Sequence, residues 1–103
     1  MADQDTMNVC NEIFVERLKQ NDEWGERNHT PLKWLAILGE EFGEACKGEL
    51  ELDDEGFRKE LIQVAAVAVA AIESGDRRQM QVAIDEAQKA IQEAPDENHN
   101  QGA

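Results

Sequence analysis

The sequence predicts an all-α fold, a four-helix bundle, and two observations lead to that prediction. Alanine, glutamate, glutamine, leucine and lysine dominate the 103 residues, and these side chains favour helices over sheets. Apolar residues recur at spacings of three and four along much of the chain, which is the period of an amphipathic helix. A chain of this length forms one domain, because it can bury only one modest core.

The first two predicted helices are separated by a polar connector. The first helix is predicted over Thr6–Asp22, and the connector over 23–30 contains a glycine. The second helix is predicted over Pro31–Leu50, because the Thr30 hydroxyl can cap free amides and proline fits the first turn. Its expected buried stripe is Trp34, Leu35, Leu38, Phe42 and Ala45.

The third predicted helix begins after an aspartate cap at Asp53 or Asp54 and ends at Ser74-Gly75-Asp76, where the fourth begins. The third helix is apolar nearly all round over 64–72, so we expect a second subunit to cover part of it. Residues 1–94 then form the helical domain. Residues 95–103 are polar with no apolar anchor and are predicted to be a disordered tail.

The charge of the chain excludes two classes of partner. Ten lysines and arginines stand against 23 aspartates and glutamates, a formal net charge of −13. Nucleic-acid binding needs a basic surface, and an anionic membrane would also repel this protein, so we expect neither partner. The two cysteines form no metal or redox motif and no signal peptide is evident, which predicts a cytoplasmic location.

Two pairs of polar side chains, each spaced three apart on a helix, are the strongest candidates for a site. Glu41 and Glu44 share one face of the second helix, and Glu60 and Gln63 share one face of the third. If these helices pack antiparallel, the four side chains converge, and an all-oxygen set suits Mg²⁺. Solvated helix faces remain an alternative.

A di-iron carboxylate bundle is a further alternative for these acids. It requires a Glu-x-x-His step on each of two helices. The chain has one such step, Glu26 to His29, and it falls in the connector. The sequence therefore gives this alternative little support.

The segment Lys33–Glu44, KWLAILGEEFGE, is followed after 15 residues by Glu60-Leu61-Ile62-Gln63. This arrangement resembles the EExxE…ExxD signature of the MazG-like all-α nucleoside triphosphate pyrophosphohydrolases, and Gln20–His29 also resembles a stretch of phage and bacterial members. The resemblance implies Mg²⁺- or Mn²⁺-dependent cleavage of NTPs or dNTPs to the monophosphate and pyrophosphate. It also implies a house-cleaning role and a homodimer or homotetramer.

Carried onto this chain, the resemblance implies a role for each matching residue. The metal ligands would be Glu41, Glu44, Glu60 and Gln63, and the catalytic residues would be Glu40 and Glu41. Candidate substrate-binding residues are Gln20, Trp24 and Asn28 for the base and Lys47 and Lys59 for the phosphates. Gln63 replaces the usual aspartate and removes one negative charge, so the alternative is a catalytically inactive helical oligomer that binds nucleotides or a protein.

Overall fold

The structure, a computed structural model, describes residues 2–51 and 53–95. This part of the chain contains three helices, α1 (Ala2–Trp24), α2 (Pro31–Leu50) and α3 (Asp54–Glu93), and no strand. The prediction of an all-α fold is therefore confirmed. The tail predicted over 95–103 lies outside the described residues, apart from Pro95.

The starts of α2 and α3 follow the capping signals in the sequence. The Thr30 hydroxyl accepts a hydrogen bond from the Lys33 amide at 3.3 Å, and Pro31 occupies the first turn of α2. A carboxylate oxygen of Asp53 accepts from the Gly56 amide at 2.9 Å. Both caps satisfy amides that a helix start leaves without a partner, which explains why these two boundaries could be predicted.

The predicted helix break at Ser74-Gly75-Asp76 is wrong. The chain continues through these residues as one helix of 40 residues, so α3 replaces the predicted third and fourth helices. A glycine within a helix costs only about 1 kcal/mol relative to alanine, which packing can offset. Ser74 supplies such packing, since it is 4% exposed and its hydroxyl oxygen lies 3.5 Å from the His29 carbonyl oxygen.

Helix α3 is the central element, since α1 and α2 each pack against it in the described part of the chain. Helices α2 and α3 run antiparallel. Near the tight connection, a Cβ placed on Gly48 would lie 3.3 Å from the Phe57 amide nitrogen. At the far end, Trp34 packs with Val67 and Ala70 in the small core. This register places the middle of α2 opposite the beginning of α3.

Several apolar side chains expected in the core are exposed in the single chain. Leu35 and Phe42 are 63% and 59% exposed, and Ile72 is 64% exposed. Each helix here has few neighbours, so its apolar stripe is wider than the contact it makes. Among the described residues, no helix combines the length and apolar character needed to cross a membrane.

Candidate functional site

Glu41 of α2 lies against Glu60 and Gln63 of α3, and we call these three residues the polar cluster. With its amide nitrogen facing α2, Gln63 donates to a carboxylate oxygen of Glu60 at 2.9 Å and to one of Glu41 at 3.1 Å. The opposite amide orientation places the Gln63 oxygen at the same point, facing both carboxylates. The cluster can therefore be a hydrogen-bonded network or a convergence of three oxygens.

The surroundings of Glu41 disfavour its negative charge. Burial raises the pKa of this carboxyl above its usual 4.5, and the nearby charge and hydrogen bond of Glu60 raise it further. The charges of Glu44 and Glu40 act in the same direction. A proton on Glu41 relieves this repulsion, and so does a bound cation.

The spacing of the polar cluster fits a hard divalent cation. In an octahedral site with metal–oxygen bonds of about 2.1 Å, neighbouring ligand oxygens lie about 3.0 Å apart. The two Gln63 distances, 2.9 and 3.1 Å, are close to this value and are also ordinary lengths for N–H···O hydrogen bonds. Two carboxylates and an amide oxygen are also ligands that Mg²⁺ and Mn²⁺ accept. The ligand types of Glu41, Glu60 and Gln63 thus suit a metal ion, and the two distances suit a hydrogen-bonded network equally well.

The cluster differs from a fully acidic metal site. Within residues 2–51 and 53–95, no group of three or more His, Cys, Asp or Glu side chains is arranged to hold a metal ion. The third member of the cluster is an amide, and Glu44, the fourth predicted ligand, is exposed on α2. A metal bound here would take its remaining ligands from water or substrate.

The other predicted site residues of α2 and α3 are exposed. Glu40 precedes Glu41 and faces solvent. Lys59 lines a groove of about 540 Å³ between α1 and α3, and Gln63 lines the same groove. Lys47 is exposed in the last turn of α2. The groove therefore brings one of the two predicted phosphate-binding lysines near the cluster.

The three residues predicted to bind the base do not contact the polar cluster, and each of them contacts an arginine instead. Gln20 is 4% exposed, and its oxygen accepts from Arg17 at 3.4 Å. The Trp24 ring lies 5.0 Å from the guanidinium carbon of Arg27. The Asn28 oxygen accepts from Arg77 at 2.8 Å. These three arginines all line one cavity, so each predicted base-binding residue contacts a lining residue without lining the cavity itself.

We call this space the arginine cavity, and its volume is about 300 Å³. Two of its arginines are paired, since Arg17 donates to Glu73 at 2.8 Å and Arg77 lies 3.2 Å from Glu26. Arg27 lies between the rings of Trp24 and Trp34. The full lining is Arg17, Asn21, Glu26, Arg27, Trp34, Ala70, Glu73 and Arg77.

Electrostatics connect the arginine cavity with the polar cluster. Burial lowers the pKa of Arg27, and the charge of Arg17 lowers it further, while the negative charge of Glu41 raises it. Sequence reasoning missed this cavity, because α1, the connector, α2 and α3 each contribute to it and no local spacing signals their meeting. Comparison of the chain with known protein families, curated proteins and solved structures finds no match.

Proposed function

We propose that this protein is a Mg²⁺-dependent nucleotide pyrophosphohydrolase of the MazG-like type, which cleaves NTPs or dNTPs to the monophosphate and pyrophosphate. One observation carries the proposal, the convergence of the Glu41, Glu60 and Gln63 side chains between α2 and α3. The sequence motif that predicted these residues covers both helices of the cluster. Mn²⁺ would fit the same oxygen ligands.

Each residue of the site has a chemical role in this proposal. Glu41, Glu60 and Gln63 hold the cation, and exposed Glu44 adds a negative charge one turn along α2. When bound, Mg²⁺ neutralises phosphate charge and lowers the pKa of a coordinated water. Exposed Glu40 lies beside Glu41 and can accept a proton from the attacking water.

The groove beside the cluster gives a place for the phosphate chain. Lys59 and Gln63 line this groove together, so a lysine ammonium lies on the same surface as a proposed metal ligand. A positive charge there stabilises the leaving pyrophosphate during in-line attack. Lys47, at the end of α2, is the second candidate for this role.

The proposal includes a homodimer or homotetramer in the cytoplasm. Large apolar side chains are exposed on all three helices, including Phe14, Phe42 and Ile72. A second copy of the chain would remove such side chains from water. Cys10 and Cys46 are free thiols, which fits a reducing compartment.

A second candidate is a catalytically inactive helical oligomer that binds nucleotides or a protein. The observation that favours it is the amide orientation of Gln63. With its nitrogen inward, Gln63 donates to both carboxylates, so the cluster is satisfied without a cation. Turnover separates the two candidates, because only an active enzyme releases pyrophosphate.

The test is pyrophosphate release from a panel of NTPs and dNTPs, with Mg²⁺, with Mn²⁺ and with EDTA. We expect metal-dependent release of pyrophosphate and monophosphate from at least one substrate. Glu41→Gln should abolish it and Glu44→Gln should lower it, while Glu86→Gln, the same change on an exposed position of α3, should do neither. No release from any substrate by folded protein would favour the inactive oligomer, and full activity of both site variants would contradict the assigned site.

A further inference from the structure

Two residues that line the arginine cavity each carry a buried donor that has no acceptor. Among the described residues, neither Nη2 of Arg27 nor Nε1 of Trp34 has a hydrogen-bond partner, although both atoms are buried. Trp34 itself is only 4% exposed. Both groups can donate and neither can accept, so the partner they lack is an acceptor.

The position of Arg27 keeps its guanidinium available. The two tryptophan rings lie 5.0 and 5.1 Å from its central carbon, which holds the planar group in place by cation–π contacts. Arg17 and Arg77 are engaged with Glu73 and Glu26, but Arg27 makes no ion pair with any described residue. Arg27 is therefore the cation of the cavity that has no described carboxylate in direct contact, and the only described acidic group whose charge is seen to act on it is Glu41 of the polar cluster.

The charge of the lining determines the kind of acceptor. Three guanidiniums and two carboxylates line the cavity, which leaves one formal positive charge. A neutral acceptor would leave that charge without a direct partner in a partly buried position, where an unpaired charge is unfavourable. An oxyanion satisfies both the charge and the donors, because the arginine fork matches two oxygens on one carbon or phosphorus.

We propose that the arginine cavity is a binding site for a small oxyanion, a phosphoryl or carboxylate group, held by the Arg27 guanidinium and the Trp34 indole nitrogen. The cavity volume of about 300 Å³ exceeds what one such group fills, so the group can belong to a larger ligand. Arg17 and Asn21 lie on the same wall and can supply further donors. The site does not depend on the metal or on the proposed hydrolysis.

The two tryptophans of the chain both contact Arg27, so their fluorescence reports on this cavity. The experiment titrates the full chain, in EDTA, with sodium phosphate or sodium acetate at constant ionic strength, and with sodium chloride as the control anion. We expect a saturable change with at least one oxyanion and none with chloride. Saturation by phosphate alone identifies a phosphoryl site, and saturation by acetate identifies a carboxylate site. Unsaturable responses to both oxyanions would overturn the proposal.

Variants link the signal to the cavity. Arg27→Gln should weaken binding at least tenfold, while Arg58→Gln, which removes an exposed arginine paired with Glu12, should leave it unchanged. Circular dichroism confirms that each variant is helical. If Arg27→Gln does not fold, Trp34→Phe removes the indole donor and keeps a ring, and calorimetry should show binding weakened severalfold. Wild-type affinity in the folded variant would overturn the proposal.

Discussion

Gly75→Ala should stabilise the protein, because Gly75 lies within α3. A Cβ built on Gly75 meets no heavy atom within 4 Å, so the new methyl group neither clashes nor packs. The change is then one of helix propensity, and alanine exceeds glycine by about 0.8–1.0 kcal/mol in a helix interior. For a urea m-value of about 2 kcal/mol/M, the midpoint should rise by about 0.5 M.

The assay is urea unfolding followed by circular dichroism at one protein concentration. Gly25→Ala is the matched control, because Gly25 has a φ of 71° and is not helical. Alanine in this left-handed conformation should cost about 1 kcal/mol and lower the midpoint. A fall in the midpoint for Gly75→Ala as well would refute the continuous helix. That result would indicate a helix end at Gly75, as the sequence predicted.

Three further substitutions test the polar cluster and a helix start. The raised pKa of Glu41 means that its proton stabilises the fold below pH 4.5 and that this contribution is lost as pH rises through the raised value. In urea unfolding measured across pH, the free energy of unfolding of Glu41→Gln should decrease less with rising pH than that of the wild type. The same pH dependence in both proteins would contradict the assigned repulsion. Gln63→Asp adds a third carboxylate to the cluster, so the melting temperature of the variant in EDTA should be lower than that of the wild type. Mg²⁺ should raise the melting temperature of the variant more than it raises that of the wild type. If neither melting temperature differed from wild type, Gln63 would lie outside the site. Thr30→Ala removes the acceptor of the Lys33 amide and should cost about 1 kcal/mol in urea unfolding, and a neutral effect would contradict the cap.

The fold could be predicted where strong local chemistry sets a boundary. Thr30 followed by proline defines the start of α2, since a cap and a fixed φ act within one turn. The Ser74-Gly75-Asp76 signal failed because its local preference amounts to about 1 kcal/mol, and contacts along α3 outweigh it. Only the three-dimensional packing of Ser74 beside the connector shows this.

The site could be predicted in part for a similar reason. Glu41, Glu60 and Gln63 meet because a short connection forces α2 and α3 to be antiparallel, and helical spacing then sets which residues face each other. Arg27 and Trp34 meet through the path of the connector, which has no periodic pattern to read. The polar cluster was therefore accessible to sequence reasoning and the arginine cavity was not.

The central claim is that the polar cluster binds a divalent cation, and anomalous diffraction from crystals grown with Mn²⁺ tests it most directly. Mn²⁺ takes the same oxygen ligands as Mg²⁺ and scatters anomalously. We predict one or more peaks bonded to oxygens of Glu41, Glu60 and Gln63. The claim would be contradicted by a structure in which no anomalous peak lies at the cluster and the Gln63 amide nitrogen donates to both carboxylates.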